Sequence, residues 1–400
     1  MTQAILQLVL LLSAAHALGW VFKRMRQPAL VGYMVAGVFL GPSLLSRVTP
    51  SAALTAMSDL ALFFVVLAAG LELRIKDVSG LLRGGGLLTL LLGLFIPAAA
   101  ATALVWLLDI EAIAATVVVL CVSVTALPVA LQILRSFGLL ETPMARVAIV
   151  SAVLSDVIVL MALGILIELA SPQGRTLALV ASIAALKLAA LIALVLAAHF
   201  LCEHLAATHA TKLSGAPRRV HTVWTGVLAA LLVSGLGLAS ARLGLHFAIG
   251  AFFGAMMITR DLMGDPHFER FERGVSAATA AVFGPLFLAF QGVKFDLLSL
   301  GNFTFLGALL AVAVLSKLIA GYVVGRLQRM PVHEAIGVGI IMNARGVMEM
   351  VVASIAYRAS LVSLSMYSSL LLIGLVTSML TPVFLAWWKR GSEQRLAVSG

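Results

Sequence analysis

Charge is scarce in this chain: only 11% of its 400 residues are Asp, Glu, Lys or Arg, where a water-soluble protein of this size carries about a quarter. With 62% hydrophobic residues and a mean hydropathy of +1.11, no water-soluble fold could bury the apolar surface. Cysteine is nearly absent. Cys121 and Cys202 both fall in or at the end of apolar runs, which excludes a disulfide framework and a thiolate metal site. Polar stretches long enough for an appended soluble domain are lacking too. The longest loop, around 203–220, is short and basic, and about a dozen residues follow Trp388.

What remains is a succession of apolar runs of about 20 residues, each long enough to cross a bilayer core. In lipid the backbone must satisfy its own hydrogen bonds, which leaves helices or closed barrel strands. Barrel strands would be about half that length and would alternate in polarity, so helices are expected. Thirteen spans are placed at 2–21, 28–45, 54–75, 85–108, 112–135, 144–170, 176–202, 221–241, 245–259, 274–295, 301–325, 332–357 and 363–388. Ser13-Ala14-Ala15-His16-Ala17 has the look of a signal-peptidase site, but no Lys or Arg precedes Lys23. The first run therefore reads as an uncleaved span with its N-terminus outside.

The net charge of +10 does not indicate a nucleic-acid partner, because the basic residues are scattered through short loops instead of gathered on one face. Of the 27 Lys and Arg residues, 19 fall in alternate loops and the C-terminal tail, taken as inside. Arg47, Arg175, Arg242, Lys294 and Arg358 are the only ones outside, and Lys187, Lys317 and Arg345 lie within spans. This asymmetry is the positive-inside pattern and puts the C-terminus in the cytoplasm.

The chain also resembles itself. Val35 through Gly41 in the second span matches Ala248 through Gly254 in the ninth, and Phe63 through Leu73 in the third matches Leu286 through Phe295 in the tenth. Seven spans separate the partners, so they point in opposite directions. The expected organisation is a single membrane domain of two inverted repeats, about 1–170 and 221–388, joined by a linker helix at 176–202, the plan of many secondary transporters. Such repeats meet at interrupted helices near the midplane. Ser123-Val124-Thr125-Ala126-Leu127-Pro128 interrupts the fifth span, and proline there removes a backbone donor. Asn343-Ala344-Arg345-Gly346 interrupts the twelfth.

A few charges lie inside the spans. Asp156 is near the middle of the sixth, where an aspartate costs about 2.5–3.5 kcal/mol on insertion scales; such residues are functional by default. Lys317 and Arg345 are its candidate partners. Glu349, one turn after Arg345, is expected to pair with it at i,i+4. Asp59, Glu72 and Glu168 read as interfacial, Lys187 carries no specific expectation, and His199, His204, His209 and His221 read as surface residues near one inside loop.

Gln27-Pro28-Ala29-Leu30-Val31-Gly32-Tyr33 through Gly41-Pro42-Ser43-Leu44-Leu45, then Gly70-Leu71-Glu72-Leu73, Thr125-Ala126-Leu127-Pro128-Val129, Gly138-Leu139-Leu140-Glu141-Thr142, Gly250-Ala251-Phe252 and Asn343 through Glu349 occur in that order. Together they resemble the monovalent cation:proton antiporter-2 family, which includes the Kef-type potassium antiporters and the plant cation/proton exchangers. The resemblance runs from residue 27 to about 356. It implies a scaffold of spans 1–3 and 8–10 that forms a homodimer, and a moving core of spans 4–6 and 11–13. It maps the ion-binding aspartate onto Asp156, the core lysine onto Lys317 and the twelfth-span basic residue onto Arg345. Family members often carry Asn, Asp or Gln where this chain has Ser155, which removes the second carboxylate of the two-aspartate members.

The expected function is elevator-type, electroneutral exchange of Na⁺ or K⁺ for H⁺, with Asp156 holding either ion. Asp156 and Thr125 are the expected cation ligands, helped by Ser155 and by carbonyls freed at the fifth-span break. Asn343, Lys317, Arg345 and Glu349 are the polar partners, and Pro128 and Gly346 the helix breakers. No cofactor and no enzymatic activity are expected, and a bacterial inner membrane is the expected location. An organic-anion symporter on a related fold and a non-transporting or degenerate sensor subunit are the alternatives.

Overall fold

The computed structural model describes residues 2–71, 86–170, 177–212, 218–263, 265–300 and 303–399, and among these there is helix but no strand. In chain order the helices are α1 (Thr2–Arg24), α2 (Ala29–Leu40), α3 (Ala52–Leu71), α4 (Gly86–Leu107), α5 (Ala112–Ser123), α6 (Leu127–Phe137), α7 (Pro143–Leu169) and α8 (Leu177–Lys212). They continue with α9 (Arg218–Arg242), α10 (Phe247–Met256), α11 (Asp265–Ala278), α12 (Gly284–Lys294), α13 (Phe303–Leu327), α14 (Val332–Met342), α15 (Val347–Arg358) and α16 (Leu364–Ser399). A single turn at Arg260–Met263 precedes α11, and a π-helical turn at Thr279–Phe283 joins α11 to α12.

Every expected span carries helix. Among the described residues, seven helical stretches are long and apolar enough to cross a membrane by length and composition, and six further apolar helices are shorter. The fifth span is among the shorter because α5 stops at Ser123 and α6 resumes at Leu127; the twelfth reaches full length although α14 stops at Met342 and α15 resumes at Val347. Two boundaries differ from expectation. The loop expected around 203–220 is helical as far as Lys212, and the tail after Trp388 continues α16 to Ser399. Neither segment contains a proline after Pro382 or before Pro217 to stop it. Glu72 and Arg175 lie outside the described residues.

The chain divides into two compact units. The first comprises Met1–Thr55, Gly80–Leu163 and Leu288–Gly400. Within it α1 packs on α2, α4 on α5, and α13 on both α14 and α4. Backbones approach closely at glycine: a Cβ at Gly292 of α12 would run into the Met34 carbonyl of α2, and one at Gly37 of α2 would run into the Ala289 carbonyl of α12. The Ser43 hydroxyl after α2 ties this contact down, donating to the Phe295 carbonyl at 2.5 Å and accepting from the Leu297 N–H at 3.3 Å.

The second unit comprises Ala56–Ser79 and Gly164–Phe287. Its core packs Leu67 and Leu71 of α3 with Val233 of α9, Ala251 and Ala255 of α10, and Phe268 of α11. Here too α3 meets α10 at a glycine: a Cβ at Gly70 would lie 2.7 Å from the Phe252 carbonyl. Gly70 and Gly292 are counterparts in the internal sequence match, as are α10 and α2. The same close approach is thus built once in each repeat. Glu168 and Lys187 form an ion pair of 2.6 Å with Glu168 only 8% exposed. Glu168 stands in the last turn of α7, and a carboxylate this buried is held by a charge-assisted hydrogen bond. Lys187, for which the sequence carried no expectation, is its partner.

Candidate functional site

The two interruptions lie against each other. The Ala126 N–H donates to the Ala344 carbonyl at 2.9 Å, and the Thr125 hydroxyl donates to the Met342 carbonyl at 3.3 Å. Each interruption ends a half-helix, and a half-helix ending inside a membrane leaves four carbonyls without intrahelical donors. Each unsatisfied group would cost several kcal/mol there.

For α5 the carbonyls from Leu120 to Ser123 are supplied. Leu120 accepts from the Val124 N–H at 3.2 Å. Cys121 and Val122 accept from the two terminal nitrogens of Arg345 at 2.7 and 2.8 Å. Ser123 accepts from Lys317 Nζ at 2.5 Å. For α14 the same accounting closes with neutral donors. Gly339 accepts from Asn343 Nδ2 at 3.0 Å, Ile340 from the Asn343 N–H at 3.2 Å and Ile341 from the Ala344 N–H at 2.8 Å, with Met342 taking Thr125 Oγ1. The two cations therefore both sit at the C-terminus of α5, where the aligned peptide dipoles amount to roughly half a negative charge.

Lys317 and Arg345 are fully buried, at 0% exposure. Lys317 reaches the site from α13 because Ser316, Ala320, Gly321 and Val324 turn that helix face inward. Besides Ser123 it donates to Thr125 Oγ1 at 2.8 Å and to the Gly93 carbonyl of α4 at 3.4 Å. Arg345 also donates to Glu349 Oε1 at 3.1 Å, the expected i,i+4 pair, and its own carbonyl accepts from Ser378 of α16 at 2.7 Å. A buried Arg without a counter-charge would be strongly destabilising; Glu349, in the first turn of α15, offsets it and faces the positive end of that helix.

Asp156 is buried on α7 at 2% exposure, and its charge, with that of Glu349, acts on the Lys317 ammonium. The neighbouring Ser155 fixes α7 against the first interruption: its hydroxyl accepts from the Thr125 N–H at 3.3 Å and donates to the Ala152 carbonyl at 2.9 Å. Asp156, Ser155, Thr125, Lys317, Asn343, Arg345 and Glu349 are thereby brought into one polar region of the first unit. Gly346 caps the start of α15 in extended backbone, and a Cβ there would come within 2.6 Å of Val129 Cγ2.

Two expectations change. Pro128 does not free carbonyls. The break precedes it at 124–126, and Pro128 occupies the second position of α6, where a missing N–H is harmless because it would be an orphan anyway. Of the carbonyls expected as cation ligands, those of Cys121, Val122 and Ser123 accept from Arg345 and Lys317. The Gly93 carbonyl and the residues Cys121 and Ser378 carried no sequence signal. A backbone acceptor has none, and Ser378 is one of many hydroxyls in α16.

Residues 9–390 match the family described as Sodium/hydrogen exchanger, transmembrane. The chain belongs to this family. The Cation/H(+) antiporter 20 of Arabidopsis thaliana is 26% identical over 98% of this chain, which covers 49% of that relative. The chain thus spans about half the length of its plant relatives. The Na(+)/H(+)-K(+) antiporter GerN of Bacillus cereus is 23% identical, with 98% of both chains covered. The fold is shared with the sodium proton antiporter MjNhaP1 of Methanocaldococcus jannaschii, at a TM-score of 0.70 and 13% identity over 97% of each chain. This exchanger-family chain is an integral membrane protein, and its named relatives are cation/proton antiporters.

Proposed function

We propose that the chain exchanges Na⁺ or K⁺ for H⁺, with Asp156 as the shared binding group. The observation that carries this reading is that protein donors supply the α5 carbonyls from Leu120 to Ser123 and the α14 carbonyls from Gly339 to Met342. The interruptions can stay buried without a bound ion to stabilise them. Asp156, a carboxylate buried on α7 in the same polar region, is the group that takes either a proton or a cation.

Charge balance supports one-for-one exchange. Asp156 and Glu349 are offset by Lys317 and Arg345, so the empty site with all four ionised is neutral. One proton or one monovalent cation at Asp156 gives the same net charge of plus one. Ser155 adds no second titrating carboxylate. Oxygen ligands suit hard alkali cations, and Ser155, next to Asp156 in the chain, and Thr125, whose N–H donates to the Ser155 hydroxyl, supply hydroxyls in the same polar region. The family resemblance supports an elevator movement of spans 4–6 and 11–13 against a dimeric scaffold of spans 1–3 and 8–10. The loop charges support a cytoplasmic C-terminus, and the inner membrane of a bacterium suits such a chain.

Everted membrane vesicles holding an imposed proton gradient test the proposal. Adding Na⁺ or K⁺ should dissipate the gradient, read as dequenching of a trapped fluorescent amine. No response to Na⁺, K⁺ or Li⁺ between pH 6 and pH 9 would overturn it.

A further inference from the structure

Away from the interruptions, a cavity of about 660 Å³ opens in the first unit between the α1–α2 turn, the end of α6 and the stretch of α16 from Pro382 to Arg390. Its lining includes Lys23, Arg26, Lys389 and Arg390, and no Asp or Glu. Four like charges around one cavity attract an anion. The pocket is organised to receive one. The Lys389 ammonium is held over the end of α6 by donation to the Phe137 carbonyl at 3.2 Å, and Gln132 and Ser136 add neutral polar groups from the same helix.

Depth narrows the identity of that anion. Trp20 lies one turn before Lys23 and is 61% exposed, and Trp387 lies two residues before Lys389 and is 76% exposed. Arg24 stacks 5.4 Å over the Trp20 ring. Exposed tryptophans beside basic residues at helix ends mark the headgroup layer of a membrane. A basic pocket between helices at that level matches phosphate-bearing lipid headgroups.

We propose that this cavity binds the phosphate headgroup of an anionic lipid. Both α6 and α16 run back from here to the interruptions: α6 begins at the break after Ser123, and α16 carries the Ser378 that bonds to the Arg345 carbonyl. On the antiport reading above, α1 and α2 belong to the scaffold and α6 and α16 to the moving core. A bound headgroup would bridge the two and bias the exchange. That consequence rests on the antiport reading; the binding itself does not.

The test is thermal unfolding of the purified full chain in neutral detergent. The additives are phosphatidylglycerol, phosphatidylcholine or inorganic phosphate. Phosphatidylglycerol should raise the melting temperature by several degrees in a concentration-dependent way, and phosphatidylcholine should not. The K23Q/R26Q variant, which leaves the Lys389–Phe137 contact in place, should lose at least half of the shift, while R270Q on α11 should keep it. An equal shift with inorganic phosphate alone would overturn the lipid assignment. An undiminished shift in K23Q/R26Q, or no shift at all, would overturn the pocket. Because the readout needs no transport, failure here is distinct from failure of antiport.

Discussion

Arg345 spans the two interrupted helices: it stands in the break before α15 and donates to the Cys121 carbonyl at the end of α5 at 2.7 Å. One side chain therefore closes the carbonyl end of one repeat's half-helix from within the other repeat's break. Lys317 completes the cap from a third helix, α13.

Removing Arg345 should be the most destabilising single change at the site. Arg345→Ala leaves two buried carbonyls without donors and Glu349 without its counter-charge, a loss of about 3–5 kcal/mol by analogy with broken buried pairs. Glu349→Gln should cost less, because a neutral amide can still accept from Arg345. Melting temperatures of both variants in detergent check this order; a milder Arg345→Ala than Glu349→Gln would refute the capping role.

Lys317→Met should leave the Ser123 carbonyl unsatisfied and lower stability by about 1–3 kcal/mol, with exchange reduced. Lys317→Arg restores a charged donor and should recover more stability than Lys317→Gln. Thermal unfolding and vesicle exchange, measured on the same preparations, test both statements.

Much of this was legible in the sequence, for a common physical reason. A charge in an apolar run is expensive, so Asp156, Lys317, Arg345 and Glu349 stand out at once. Asn343 and Gly346 mark a break because they are poor helix residues in mid-span. The repeat was readable at Gly70 and Gly292 because close backbone approach admits little else. What could not be read was the identity of each acceptor. The Gly93, Cys121 and Ser123 carbonyls are the same chemical group in every residue. Pro128 misled in detail: proline excludes itself from helix interiors but is welcome in a first turn, so it marks a restart as readily as a break. Glu168 and Lys187 lie 19 residues apart, and only the fold shows that they meet.

Gly37→Val should prevent assembly of the membrane domain, because the added side chain meets the Ala289 carbonyl of a neighbouring backbone that cannot rotate away. Gly226→Ala, where nothing lies within 4 Å, is the matched control. Size-exclusion profiles of fluorescently tagged protein should show aggregation for the first and a normal peak for the second.

Electroneutral exchange makes a prediction about voltage. In proteoliposomes an imposed membrane potential, with Na⁺, K⁺ and H⁺ equal on both sides, should drive no net proton movement. Ser155→Asp, which adds a second carboxylate beside Asp156, should make exchange voltage-sensitive. A voltage-driven proton flux in the unaltered protein would contradict the one-for-one stoichiometry.

Asp156 is the group on which the account stands, and Asp156→Asn tests it most directly. The amide is close in size and keeps hydrogen-bonding capacity, so the protein should fold with a near-normal melting temperature. Its cation-dependent proton exchange in proteoliposomes should fall to the level of empty vesicles for Na⁺ and K⁺ alike. Folded Asp156→Asn protein that still exchanges either cation for protons at a rate near that of the unaltered chain would contradict the central claim.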